Sequence, residues 1–296
     1  MVTIRAQRSP RPFLAFSAVG LMRWKSSVGI LISRARAPRI AAVLLLLTHA
    51  SWGQDGKLRT VYVFVALADN DHQRIAPVAR ILGNGEDPAH NLYWGSAYGV
   101  KTFFSHSTGW KRLGCFPKPK AAILERCIFA YNMAGVYLIA DAYRGIEIRQ
   151  AILVFLDSAA GGGAETIPAT SSNTGPVLNL PIHGGAALLA YIGHDGLMDF
   201  QLREFPRQRD GIQRDSIVLA CASKQFFGEA IRTGGSYPIV WTRGLMAPEA
   251  YTLKAALDGW IAGENREQIR GRAADAYDKY QKCGVRAARR LFATGW

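Results

Sequence analysis

The most restrictive feature of the sequence is a continuous apolar run, TVYVFVALADN, at residues 60–70. The run is rich in valine and aromatic residues and meets no charged position until Asp69, which Asn70 follows. A strand with this pattern is covered on both faces, as happens in a sheet that has helices on its two sides. The run therefore predicts a central strand of an α/β sheet.

Strand-like and helical patterns alternate along the rest of the chain. Strands are predicted at 121–131, 135–143, in the run that leads to His194, at 216–221 and at 236–242. Helices are predicted at 87–104, 144–160, 224–235, 248–262 and 264–282, and loops at 116–120 and 164–176. This order predicts a three-layer α/β sandwich with a mostly parallel central sheet, formed by residues 54–296 as one domain. The basic tail VRAARRLF is expected to be a surface helix or a terminal extension.

The first 53 residues have the composition of a leader segment. They contain eight Lys or Arg and no Asp or Glu, and removing these charges from the net +14 leaves +6 for the rest. A basic flank, a short apolar run at 40–47 and then small residues are typical of a secretory signal. The run is shorter than the ~20 helical residues that span a bilayer.

We therefore expect cleavage after Ala50 or Gly53 and an exported chain, periplasmic or secreted, without a stable membrane span. Met22 is an alternative start, and a mitochondrial presequence is the competing interpretation of this Arg-rich segment. Because much of the positive charge lies in the leader, nucleic-acid binding is not expected.

Four cysteines, Cys115, Cys127, Cys221 and Cys283, are too few for a disulfide scaffold in a chain of 296 residues. Cys115 and Cys127 flank a short Pro-Lys segment and are close enough in sequence to bridge each other. Whether they do is left open by the sequence.

His194 and Cys221 each follow an apolar run, in AYIGHDG and SIVLACAS. Taken singly, such a cysteine is more often a buried small residue, and a histidine before Asp-Gly is often a turn residue. Together, at the ends of successive predicted parallel strands, they are expected at one edge of the sheet, where ligands collect. An imidazole and a helix beginning near Ser223 would both raise the thiolate fraction of Cys221, which favours a nucleophilic cysteine.

These two blocks resemble those of the caspase-like cysteine peptidases, which include caspases, metacaspases, gingipains and CHAT-domain proteases. LLAYIGHDG is similar to the histidine block and DSIVLACAS to the cysteine block, and the predicted strand order agrees between about residues 60 and 245. The resemblance implies a caspase-like fold, His194 as general base or acid, Cys221 as nucleophile and the Gly196 amide as oxyanion donor. The sequence departs from the family pattern at Asp195, because in the family a glycine usually follows the histidine directly. This aspartate would displace the oxyanion-hole backbone or hydrogen-bond the imidazole.

The resemblance also implies where substrate specificity is set, namely after the first strand and along the strand that follows the cysteine helix. The expected substrate-binding residues are Asp69, Asn70, Asp141, Tyr237 and Trp241. Carboxylates at the base of such a pocket would favour a Lys or Arg side chain of a peptide or protein substrate.

Two alternatives remain beside an exported cysteine peptidase. One is a non-catalytic exported binding protein with the same crevice, and the other is a hydrolase that uses Asp69, Asp71 and Asp141. Histidines and acids near residues 69–106 lack the spacing of a metal motif, and the glycine-rich segment at 161–176 lacks the Gly-Lys-Ser/Thr of a phosphate loop. No metal or cofactor is therefore expected, and the sequence does not indicate an oligomeric state.

Overall fold

A computed structural model of the chain describes residues 58–132, 135–170 and 175–296, so the predicted leader at 1–53 lies outside the described residues. The strands of the described part, in chain order, are β1 (Arg59–Ala66), β2 (Trp110–Lys120), β3 (Ile123–Tyr131), β4 (Val136–Tyr143), β5 (Glu165–Thr170), β6 (Val177–Ile182), β7 (Leu188–Ile192), β8 (Asp215–Leu219), β9 (Tyr237–Thr242) and β10 (Phe292–Ala293).

The α-helices lie between and after these strands. They are α1 (Val100–His106), α2 (Ile148–Ala159), α3 (Ser223–Phe226), α4 (Gly228–Thr233), α5 (Ala250–Ile261), α6 (Arg266–Gln281) and α7 (Val285–Leu291). The helical patterns seen in the sequence at α2, α5 and α6 are confirmed, and the basic tail forms α7.

Eight strands form one mixed sheet in the order β10-β9-β8-β7-β1-β4-β3-β2. The five inner strands from β9 to β4 pair in parallel, whereas β2, β3 and β10 pair antiparallel to their neighbours. The α/β class expected from the sequence is confirmed.

β1 lies in the middle of this sheet and has a covered side chain on each face. Val61, Val63 and Val65 pack in one apolar cluster with residues of α1, α5 and α6. Tyr62 and Phe64 point the other way, into a second cluster with residues of α2 and α4. Helices therefore cover both faces of the sheet, which explains why the run at 60–70 shows no polar alternation.

The prediction of a helix at 87–104 is wrong over most of this range, because the α-helix there, α1, begins only at Val100. The side chain of Asn91 exchanges hydrogen bonds with the Ala68 amide (3.0 Å) and the Ala68 carbonyl (2.8 Å). An asparagine that bonds a neighbouring backbone competes with helix formation. A turn structure results, and it holds this segment against the end of β1.

Both predicted loops, at 116–120 and 164–176, contain strand residues. Residues 116–120 belong to β2, and β5 pairs with β6 in a separate two-stranded sheet. Cys115 of β2 lies opposite Cys127 of β3, with their Cα atoms 4.1 Å apart, and the two form a disulfide. The apolar pattern missed β2 because it lies at the edge of the sheet, where many of its side chains are exposed.

Among the described residues, no helix has the length and apolarity required to cross a membrane.

Candidate active site

His194 and Cys221 occupy equivalent positions on neighbouring strands. β7 pairs in parallel with β8, with Ile192 opposite Leu219, and each functional residue follows two positions later. Gly193, between Ile192 and His194, has a φ of 151° and donates its amide to the Leu219 carbonyl at 3.3 Å. The two strands therefore deliver both side chains to the same edge of the sheet.

A cavity of about 390 Å³ opens at this edge, and both side chains line it. Its other lining residues come from the loops after β1, β7 and β9 and from the turns before α1. They are Arg74, Ile75, Ala76, Tyr93, Gly193, Met198, Leu245, Met246 and Pro248. A mostly apolar cleft with a few polar groups is typical of a small-molecule or peptide subsite.

The imidazole of His194 is oriented by a carboxylate that the sequence analysis did not identify. Its Nε2 lies 2.7 Å from Oδ2 of Asp199, and the same oxygen accepts the amide of Arg74 at 3.3 Å. The His194 residue is 8% exposed, so the ring is largely buried. With Nε2 engaged, Nδ1 is the ring nitrogen left for proton exchange with a group in the cavity.

The thiol of Cys221 contacts the loop after β9 and not the imidazole. Met246 donates its amide to Sγ at 3.4 Å, and the thiol donates to the Met246 carbonyl at 3.6 Å. Burial raises the pKa of the Cys221 thiol, the Met246 amide lowers it, and the nearby Asp195 carboxylate raises it. The thiol is therefore protonated at neutral pH in the free protein, and a base is needed to activate it.

The loop after β9, which contacts the thiol, is itself held in place by a hydrogen bond to α6. Gly244 accepts the amide of Ala222 at 2.8 Å, directly after the cysteine. Ala247 donates its amide to the hydroxyl of Tyr277 at 3.1 Å. Ala222 has a φ of 48°, in the left-handed region, where a residue with a side chain is strained. These contacts fix the backbone directly after Cys221 and the facing loop that contacts its thiol.

Asp195 is fully buried beside the site. Its Oδ1 accepts the Leu197 amide at 3.0 Å, whereas its Oδ2 is buried without a hydrogen-bond partner. Burial raises the pKa of Asp195 to about 7, the backbone amides that it accepts lower it, and the charge of Asp199 raises it. Asp195 therefore does not bond the imidazole, which was one of its two expected roles.

The Gly196 amide, which is the oxyanion donor expected from the sequence, is already engaged within its own turn. Gly196 donates to the His194 carbonyl at 3.1 Å, and a side chain at this position would meet Phe200 and Ile152. The first amide of the helix after the cysteine is also engaged, since Ser223 donates to Oγ1 of Thr242 at 3.2 Å. The Asp195 and Cys221 amides, in contrast, donate no hydrogen bond within the described residues.

Asp69 and Asn70 follow β1, as expected, but both stabilise their own loop. Asp69 is 3% exposed and accepts the amides of Asp71 and His72, while its Oδ2 lies 2.9 Å from Nδ1 of His72. Asn70 bonds the amide and the carbonyl of Val78. Neither residue lines the cavity, so the expected acidic pocket base is absent from the lining.

Asp141 was expected at the end of a strand and in fact lies inside β4. It is fully buried and forms a bidentate ion pair with Arg126, in which both N–O distances are 2.6 Å. The hydroxyl of Tyr62 also donates to it. A buried carboxylate needs such partners, so Asp141 is a structural residue.

Tyr237 and Trp241 also lie away from the cavity. Tyr237 begins β9 and pairs with Asp215, the first residue of β8, so it sits at the amino edge of the sheet, opposite Cys221. Arg266 lies over its ring at 3.4 Å. Trp241 is 1% exposed and packs edge-on against Trp296.

Sequence reasoning missed Tyr93, Arg74, Asp199 and the loop around Met246. Burial, together with the nearby Cys221 and Glu249, raises the pKa of Tyr93, so its hydroxyl is neutral where it lines the cavity. Glu249 is held in turn by the Tyr251 hydroxyl at 2.8 Å and by Gln281. The only available signal for Asp199 was its position five residues after His194 within the same short turn.

Among the described residues, one group of metal-ligating types brings its ligand atoms within 4.8 Å of one another, namely Cys115, Glu125 and Cys127. Its two sulfur atoms form the disulfide, so they are not available as thiolate ligands. No family model, curated protein or solved structure matches the chain.

Proposed function

We propose that this protein is a cysteine hydrolase that cleaves peptide bonds, with Cys221 as nucleophile, His194 as general base and Asp199 as the residue that orients the imidazole. The observation that carries the proposal is that Cys221 and His194 line one cavity while Asp199 holds the far nitrogen of the ring at 2.7 Å. Nucleophile, base and orienting carboxylate are the three parts of an activated-nucleophile site.

The proposed reaction begins when His194 Nδ1 takes the proton of the Cys221 thiol. The sulfur attacks the scissile carbonyl carbon and forms a tetrahedral intermediate. His194 then returns the proton to the leaving amine, the carbon–nitrogen bond breaks, and a thioester remains on Cys221. Water, deprotonated by the same imidazole, hydrolyses the thioester and restores the thiol.

Asp199 supports the proton-holding role of His194 because a carboxylate at Nε2 fixes the tautomer and stabilises the imidazolium. The unbonded amides of Asp195 and Cys221 are the candidate oxyanion donors, in place of Gly196. The neutral hydroxyl of Tyr93 is a further donor in the same cavity.

The inner strand order β4-β1-β7-β8-β9 supports the caspase-like assignment, since it sets the histidine and cysteine after neighbouring strands, as the resemblance implies. The Cys115–Cys127 disulfide supports export, because disulfides persist in oxidising compartments. The proposal therefore includes a periplasmic or secreted location.

A non-catalytic binding protein is the second candidate, and one observation favours it. The thiol bonds the Met246 backbone, and its pKa is raised, so the free protein is not primed for attack. Apo sites often tighten only when substrate binds, which keeps the hydrolase ahead. The carboxylate hydrolase loses support because Arg126 neutralises Asp141 and Asp69 is committed to its own loop.

The deciding experiment is labelling of the full chain with a peptidyl acyloxymethyl ketone, followed by peptide mapping. We expect modification at Cys221 in the wild type and none in Cys221→Ala. Cys283 is the matched control, because it is also a free cysteine and is exposed, and Cys283→Ala should label like the wild type. His194→Gln should lose labelling.

Two results would count against the hydrolase. Equal labelling of the wild type and Cys221→Ala would exclude Cys221 as the nucleophile. Reversible binding of the peptide part without any covalent adduct would favour the binding protein instead.

A further inference from the structure

Positive charge is concentrated at the β10 end of the sheet, and no step of the proposed hydrolase uses it. Burial lowers the pKa of Lys224 on α3, and the charges of Arg243 and Arg232 lower it further. Like charges that lie close together repel one another, so a bound anion would stabilise them. No Asp or Glu follows Asp278 in the chain, whereas five basic residues do, namely Lys279, Lys282, Arg286, Arg289 and Arg290.

Part of this basic surface is concave. A cleft of about 290 Å³, here called the arginine cleft, is lined by Arg243, Arg270, Arg289 and Arg290, together with Glu267 and residues of β10. The four arginines come from three elements, since one follows β9, one lies on α6 and two lie on α7. A helix C-terminus favours cations, but this effect accounts only for the pair on α7. The fold therefore brings four positive side chains and one carboxylate to the same small space.

Hydrogen bonds hold the three elements of the arginine cleft together. Arg243 donates its amide to the Leu291 carbonyl at 2.8 Å. Arg270 donates through Nη1 to the Arg289 carbonyl at 2.9 Å, while its Nε lies 2.7 Å from Oε2 of Glu267. The one carboxylate of the cleft is thus engaged with the arginine that joins α6 to α7. Because the walls of the cleft are already joined, a ligand would bind without a large cost of ordering them.

Most of the positive charge in the arginine cleft is not neutralised. Asp275 lies 3.3 Å from Nη2 of Arg289, but both side chains are more than half exposed, and an ion pair of this kind contributes little. Arg243 and Arg290 are exposed and form no ion pair with any residue that the structure describes. These two guanidinium groups are therefore available to a ligand anion.

Arginine side chains suit a phosphate group in geometry as well as in charge. The N–H donors of a guanidinium form a planar fork that can bond two oxygen atoms of one anion. A phosphate monoester carries about −1.5 to −2 charges at neutral pH and three acceptor oxygens, so it can bond several arginines at once. The arginine cleft is at the small end of the range for ligand sites, which fits a single phosphate group. Duplex nucleic acid fits less well, because its binding usually engages many phosphates along the backbone.

From these contacts we propose that the arginine cleft binds a phosphate monoester group, carried either by a soluble compound or by a lipid headgroup. Arg243 and Arg290 contact the phosphate oxygens, and Arg270 keeps the cleft in shape. The proposed site is separate from the cavity that contains Cys221 and does not depend on the hydrolase function.

Titration calorimetry of the full chain with glycerol phosphate, a soluble phosphate monoester, tests the site. Succinate is the matched probe, because it is also a small dianion but carries carboxylates. We expect saturable binding of one glycerol phosphate, about tenfold tighter than succinate at the same ionic strength, and weaker binding at high salt.

Substitutions in the arginine cleft separate it from the general charge of the protein. Arg243→Gln and Arg290→Gln should each weaken glycerol phosphate binding about tenfold, because each removes one unpaired charge. Arg243→Lys keeps the charge but lacks the fork, so a loss of about threefold is expected. Arg203→Gln is the matched control, because Arg203 is also exposed but does not line the cleft, and it should bind like the wild type. Melting temperatures should stay near that of the wild type, since these side chains are exposed.

Co-sedimentation with vesicles distinguishes the two sources of the phosphate. Binding to phosphatidic acid vesicles that exceeds binding to phosphatidylglycerol vesicles of the same surface charge would identify a lipid headgroup. Binding of glycerol phosphate with no preference between these vesicles would identify a soluble compound.

Three results would overturn the phosphate site and leave the hydrolase proposal standing. One is the absence of binding to glycerol phosphate and to phosphatidic acid vesicles, even if duplex DNA binds. The second is equally tight binding of succinate. The third is wild-type affinity for glycerol phosphate in both Arg243→Gln and Arg290→Gln.

Discussion

The substitution Asp195→Asn gives the most direct measure of the electrostatics beside the candidate nucleophile. Asp195 is fully buried, one of its oxygens has no partner, and burial raises its pKa from the ordinary 3.8 to about 7. Asparagine has nearly the same shape and can still accept the Leu197 amide at Oδ1, but it cannot ionise. The substitution therefore removes the titration with little change in packing.

The sign of the pH effect follows from proton binding. Above pH 3.8 the unfolded chain has released the Asp195 proton, whereas the folded chain keeps it up to about pH 7. The free energy of unfolding therefore falls as pH rises through this window and is constant above it. A shift of about three pKa units, at ~1.4 kcal/mol each, corresponds to a loss of ~4 kcal/mol between pH 4 and pH 7.

Urea unfolding from about pH 4 to about pH 8 measures this loss. We expect the stability of Asp195→Asn relative to the wild type to increase by up to ~4 kcal/mol over that range and then to level off. Asp275→Asn serves as control, because Asp275 is exposed and should give a constant difference. Unfolding curves of Asp195→Asn that run parallel to the wild type at every pH would refute the reasoning.

Two further predictions concern the other carboxylates. Asp199→Asn should slow acyloxymethyl ketone labelling of Cys221 by about 10-fold to 100-fold, because the imidazole loses its orienting charge. The thermal melting temperature should stay near that of the wild type. An unchanged labelling rate would show that Asp199 has no role in the site. Asp141→Asn should lower the free energy of unfolding, measured by urea unfolding, by ~3–5 kcal/mol, because the charge of the buried Arg126 is left uncompensated. The exposed control Asp275→Asn should change the free energy of unfolding by less than ~1 kcal/mol. Labelling of Cys221 in folded Asp141→Asn at the wild-type rate is expected, and its loss would show that Asp141 affects the candidate site and is more than a structural residue.

The sequence predicts those parts of the fold in which the pattern of apolar residues determines the secondary structure. β1 is buried on both faces, so its unbroken apolar run identified it, and the runs before His194 and Cys221 identified β7 and β8 in the same way. The edge strand β2 has no such pattern because many of its side chains are exposed, and its Pro-Lys end at 116–120 resembles a loop in sequence. Local hydrogen bonding by Asn91 likewise overrode the helical spacing before α1.

The site was harder to predict because its supporting groups come from segments without a pattern. Arg74 is an ordinary exposed arginine in sequence, and only the shared bond to Asp199 brings it next to His194. For Asp141 the chain did offer a signal. Arg126 in ILERCIFAY, which follows Glu125, and Asp141, the one charge in VYLIADAY, lie inside strand-like runs, and opposite charges buried on neighbouring strands are expected to pair.

The disulfide between β2 and β3 has a consequence for how the protein behaves in reducing solution. β2 is the last strand at one end of the sheet, and it carries side chains that discourage another chain from adding to it, namely Lys111, Pro117, Lys118, Pro119 and Lys120. β3 behind it has an apolar stretch that includes Ile128 and Phe129. If β2 dissociates from the sheet when the disulfide is reduced, β3 becomes an unpaired edge strand with apolar side chains. Aggregation in the presence of thiol reagents would then begin at this end of the sheet.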